Sequence, residues 1–240
     1  MAEQATPLLV PMALQALLTN AKVQYDPARP FERWSPDYSA LNSYDQVVPS
    51  PFSEQMADPP EPGVHLFWKL PAAFTHGMAP TPGAKVAFPF IPNRWLVGRT
   101  ASATPGAAPQ LSVWIVQSDY LGSDGTNEIA DPLHSQPGNV TLTHLGRSMA
   151  IQQWTGEPGG PLFLRATGLS DVTFTAYQPG LTDVLSFHDV GAATLPENSL
   201  LSYWVCGWYS DPTQDVLATQ TPEALNWDCL LYTSPSPRDS

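Results

Sequence analysis

Charge is scarce in this chain. Asp, Glu, Lys and Arg make up 13% of the 240 residues, about half the usual share, as 22 acidic side chains against ten Lys and Arg, for a formal net charge of −12. The cations form no cluster. Affinity for nucleic acid rests on grouped Lys and Arg that displace phosphate counterions, and anionic membranes are bound in the same way, so the composition argues against nucleic acid and disfavours anionic membranes. Sugars, neutral small molecules and other protein surfaces stay open.

Cysteine is scarcer still, with only Cys206 and Cys229. Cys229 falls in a terminal stretch set aside below, and one remaining thiol forms no internal disulfide, so nothing points to an oxidising compartment. No base stands at a recognised spacing from Cys206, which is therefore expected to be a buried, inert thiol. Long apolar runs are also missing, and no stretch reaches the ~20 residues of a membrane-spanning helix. The apolar segment around Leu8–Leu18 has no Lys or Arg ahead of it and is interrupted by Pro11, which argues against an export signal. Cytoplasmic location is the default expectation, with signal-independent export as the alternative.

What the chain does hold is 27 Pro, 16 Gly and eight Trp within a 42% hydrophobic composition. This is the signature of many short strands joined by Pro-bearing loops, because surface helices would need more Glu and Lys on their solvated faces. The expected fold is mainly β, a sandwich-like or large mixed or antiparallel sheet domain with short N-terminal helices. Residues 1–44 read as a helical segment docking on the body. Within it, 11–20 forms a helix that Pro11 starts and Asn20 ends, with Met12, Leu14, Leu17 and Leu18 to one side, and Ser35 caps a second turn over 35–44. Residues 45–63 carry five prolines and read as a connecting arm. Residues 64–228 form the β-rich domain, truncated at its C-terminal end.

In that domain "GVHLFWKL" alternates Val64, Leu66 and Trp68 with His65, Phe67 and Lys69. A second strand covers roughly 94–100, with Trp95 in the core and Arg94 held by a carboxylate or carbonyls. In "QLSVWIVQS", Leu111, Val113 and Ile115 oppose Trp114 and Val116, as in a strand covered on both faces. A long polar loop follows, and then strands in "VTLTHLGRSMAI", "PLFLRA", "VTFTAYQPG", "VLSFHDV" and "LLSYWVCGWYS". Crossover helices long enough for a doubly wound α/β fold are lacking.

Chemistry-bearing patterns are thin. None of the five histidines forms a paired ligand motif. The polar loop holds Asp119, Asp124, Asn127, Glu128 and Asp131, oxygen donors of the kind a hard cation such as calcium takes, although their spacing departs from the twelve-residue calcium loop. A solvated turn is the plainer reading of them, and no other cofactor is implied. His188 and Asp189 are strand neighbours and point to opposite faces, so they form no relay. Trp204 and Trp208 share one strand face with Cys206. Core slabs are the favoured reading, given Val205 and the apolar Leu200–Leu201 beside them, and as exposed rings they would stack on sugars.

The words "PGVHLFWKLPAAFTHG", "FPFIPNRWLVGR", "HLGRSM", "FTAYQPG", "FHDV" and "YWVCGWYSDPTQDVL", taken together over residues 60–216, resemble the amino-terminal region of large uncharacterised bacterial proteins. The resemblance carries over no catalytic residue and implies a natural protein that continues beyond Asp228. Residues 229–240, "CLLYTSPSPRDS", resemble a translated sequencing adapter and read as a non-native tail. It interrupts "TPEALNWD", which has a good helix start. The expectation is a non-catalytic structural or scaffold domain at the front of a larger multidomain bacterial protein, whose partner is its own missing C-terminal portion. A carbohydrate- or protein-binding module is the alternative, and a hydrolase with an unrecognised site the second alternative.

Overall fold

A computed structural model describes residues 10, 12–20, 61–75, 77, 79, 86, 88–131, 133–134, 139–156, 164–165 and 181–219. Eight strands are seen among them: β1 (Ala13–Thr19), β2 (Gly63–Lys69), β3 (Arg94–Ser102), β4 (Gln110–Gly122), β5 (Asn127–Ala130), β6 (Leu142–Ala150), β7 (Ser186–Asp189) and β8 (Leu200–Trp208). They form two antiparallel sheets, one ordered β1-β2-β7 and the other β5-β6-β4-β3-β8. The mainly β expectation is met. One four-residue helix, α1 (Val216–Thr219), follows β8, with the Asp215 carboxylate accepting from Leu217 N at 2.9 Å.

The expected N-terminal helix over 11–20 is instead β1. Its Leu14, Leu17 and Leu18 have helical spacing, but so short a segment gains little from helix formation alone, while β2 offers a backbone partner from Ala13↔Lys69 to Thr19↔Gly63. Leu17 and Thr19 are buried by this pairing, and Leu14 and Leu18 stay exposed. The second expected turn, 35–44, the tail and "TPEALNWD" lie outside the described residues.

Alternation in β2 carries the packing. Val64, Leu66 and Trp68 face the second sheet, where Trp68 meets Trp95 at 5.3 Å between ring centroids, and Phe187 of β7 meets Trp114 of β4 at 5.0 Å. These rings, with Val97, Val116 and Leu145, form the layer between the sheets. Across the same layer Arg99 of β3 donates to the Asp189 carboxylate at 2.6 Å, and the Tyr203 hydroxyl of β8 donates to it at 2.7 Å. This pair is buried, so it is held by its own geometry and by Ser112 and the Ala192 amide rather than by solvent.

The long polar loop expected after β4 contains β5, which pairs with β6 and buries Ile129. β4 itself bulges: Gln117 faces Arg147 and Leu121 faces Leu145, so four steps on β4 match two on β6. The bulge turns Ser118 inward, where its hydroxyl takes a 2.7 Å hydrogen bond from Trp95 Nε1 and donates to Val184 O. It also sends Asp119 toward Arg94. Gly146 sits opposite with φ +74, and a Cβ there would stand 2.6 Å from Asp183 O, so only glycine fits.

Candidate functional site

β8 lies at one margin of the five-stranded sheet, and its two faces differ. The odd-numbered side chains face the layer between the sheets, while Ser202, Trp204 and Cys206 point outward and are exposed. Trp204 is 40% exposed. Its ring lies across Gly98, the residue opposite it on β3, so closely that a Cβ at Gly98 would meet Trp204 Cε2 at 2.0 Å. A glycine in mid-strand thus forms a flat seat for an indole whose far face meets solvent. Trp208, at the end of the same face, is half-buried and meets Trp154 edge to face at 6.2 Å.

The sequence therefore places Trp204, Cys206 and Trp208 on one face correctly, but that face is the outer one. Cys206 is exposed, not a buried thiol, because even positions of β8 turn away from the core that Tyr203 and Val205 approach. Trp154 was not foreseen, since it follows β6 outside any alternating pattern. Gly98 was legible as a glycine inside an apolar strand, the usual mark of close approach.

The five oxygen donors of the expected cation loop are not brought together. Asp119 pairs with buried Arg94 and accepts from Asn93 Nδ2 at 2.6 Å. Asp124 accepts from Arg147 at 3.0 Å and from the Tyr120 hydroxyl, which holds its carboxyl below the usual range. Asn127 donates to Leu145 O and Thr182 O. Glu128 is exposed on β5, and Asp131 caps the amides of Leu133 and His134. Among the described residues no group of three or more His, Cys, Asp or Glu is placed to hold a metal.

Arg94 and Trp95 sit as expected, the first against Asp119 and the Asn93 carbonyl, the second fully buried. Asn93 extends this network by donating to Ser210 Oγ at 2.8 Å and accepting from Ser210 N at 2.9 Å, which anchors the turn after β8. His188 and Asp189 do diverge: the imidazole stacks on His65 of β2 at 3.9 Å, while the carboxylate turns inward to Arg99. Asp183 is a buried acid beside the β4 bulge. Burial raises its carboxyl above the ordinary value, opposed by hydrogen bonds from Thr126 and Ser148 and by His188. None of the described helices is long and apolar enough to cross a membrane.

Comparisons with protein families, with curated proteins and with solved structures find no match to this chain.

Proposed function

We propose that this chain is a structural, contact-making domain of a larger bacterial protein, and that it works through the outer face of β8 rather than through catalysis. The observation that carries this reading is Trp204. An indole is an expensive group to leave in water, and a surface-seated Trp ringed by smaller side chains is the usual anchor of a protein contact. Gly98 leaves room for the ring to lie flat against β3 with part of the indole open to solvent. The polar clusters inside the molecule support the same reading, because Arg99–Asp189–Tyr203 and Asn93–Arg94–Asp119 join sheet to sheet or strand to turn.

Cys206 reports on this face directly. In a Cys229→Ser background maleimide should label it rapidly in the dilute isolated chain and slowly in the native assembly taken from source cells, and Trp204→Ala should restore rapid labelling there. Equal labelling in both preparations overturns the reading. A second reading, stacking of sugar rings on Trp204, is favoured by its flat, open indole face. Quenching of tryptophan fluorescence by soluble glucan or xylan oligosaccharides, abolished by Trp204→Ala, would select it.

A further inference from the structure

Edge strands are normally guarded against pairing with other chains by charge, proline, bulges or short length. In the five-stranded sheet the β5 edge follows that rule, with four residues and an exposed Glu128. In the three-stranded sheet the β7 edge is equally short. β8 is the longest edge and, like the seven-residue β1, carries none of these guards. It runs nine residues in uninterrupted register with β3, from Leu200↔Ser102 to Trp208↔Arg94, with no charged side chain and no proline. Among the described residues it has a strand on one side only. Leu201 and Val205 on its inner face are only half-buried, as expected at the margin of the described sheet.

We propose that β8 pairs antiparallel, edge to edge, with β8 of a second copy of this chain, about a twofold axis at Trp204. The proposal rests on the reading of β8 as the contact element and names its partner. A twofold axis through residue 204 is the one setting that pairs all nine residues. It sets Leu201 against Gly207 and Tyr203 against Val205 on the inner face, and Ser202 against Cys206 on the outer face. On the inner face Leu201 meets the small Gly207 and Tyr203 the smaller Val205, which suits close strand approach. Leu200 meets Trp208, and the two Trp204 rings adjoin at the centre of a ten-stranded sheet. No charge enters the contact, while each copy carries a net −12 elsewhere, so the copies repel at long range and salt strengthens the association.

The same register supplies a covalent test. Directly opposite residues of antiparallel strands have Cα atoms about 4.5–5.5 Å apart, within the reach of a disulfide. Ser202→Cys would therefore face Cys206 of the other copy twice per dimer. Within one chain these two positions are ~13 Å apart along the strand and cannot join. In a Cys229→Ser background, Ser202→Cys should give mostly covalent dimer under mild oxidation, and Leu200→Cys, which faces Trp208, should give little. Light scattering of the otherwise unaltered chain should show a dimer that tightens with protein concentration and with salt. A monomer under all those conditions overturns the proposal. So does a dimer that Ser202→Cys fails to trap, which places the contact on another edge such as β1. If Cys206 is protected in the native assembly although the isolated chain stays monomeric, the contact-domain reading stands and the self-pairing is wrong.

Discussion

Trp204 and Trp95 each lie over a glycine directly across the β3–β8 pair, Trp204 over Gly98 on the outer face and Trp95 over Gly207 on the inner face. A Cβ at either glycine would come within about 2 Å of the ring, at 2.0 Å and 2.2 Å respectively. The rings differ in freedom. Trp204 can tilt into solvent, whereas Trp95 is fully buried and hydrogen-bonded to Ser118. Gly207→Ala should accordingly cost about 3 kcal/mol and Gly98→Ala about 1 kcal/mol, the upper and lower ends for overpacking. Urea unfolding of the two variants checks the order, and an equal or reversed cost would show that Trp95 has room to move.

Trp95 itself should be among the costliest side chains to truncate. Trp95→Ala removes a fully buried indole and is expected to cost about 3–5 kcal/mol. Ser118→Ala leaves Trp95 Nε1 and Val184 O without their partner and should cost about 1–3 kcal/mol. A loss below about 1 kcal/mol for Trp95→Ala, measured in denaturant, would contradict its burial.

Arg99 and Asp189 should show strong coupling. Removing either partner strands a buried charge, so Arg99→Leu and Asp189→Leu are each expected to cost about 3–5 kcal/mol. The double variant should cost clearly less than the sum, because neither charge is then left alone. Additive losses in a double-mutant cycle would mean that the pair is screened by solvent.

Asp183 should make stability depend on pH. Its carboxyl is raised from an ordinary value of 3.8, so the folded state holds the proton more tightly than the unfolded one. The sign follows from linkage: the contribution is fully present below the ordinary value and is lost as pH rises through the raised one. Asp183→Asn stays neutral, and asparagine tolerates the backbone at this position, where φ is +61. The variant should show a flatter decline in unfolding midpoint than the parent chain as pH rises above the ordinary carboxyl value. Parallel curves for the two would place the pH dependence on another group.

Parts of this architecture were written in local patterns. The two-residue alternation of "GVHLFWKL" and "QLSVWIVQS" dictates strands, because a side chain on every second position can share one buried face only in extended backbone. The low charge and high proline content point to a β body for the same local reason. Even the surroundings of Arg94 were legible, since a guanidinium beside a Pro-Asn turn has carbonyls within reach. The candidate face was legible only in part: even spacing groups Trp204, Cys206 and Trp208, yet a strand with large side chains on both faces does not say which face turns inward.

Partners that are distant in sequence decided the rest. β1 is extended because β2 has a free edge beside it, and that edge outweighs the helical spacing of its leucines. β5 becomes a strand inside a polar stretch because β6 offers it hydrogen bonds. Asp119 leaves the expected cation loop because the β4 bulge aims it at Arg94, 25 residues away along the chain. Which side of β8 meets solvent was settled by where the three-stranded sheet packs, through Trp68 on Trp95 and Asp189 on Arg99. Propensity and alternation act over a few residues and were therefore readable in order along the chain, whereas inside and outside are properties of the contact between sheets and exist only once the chain has folded.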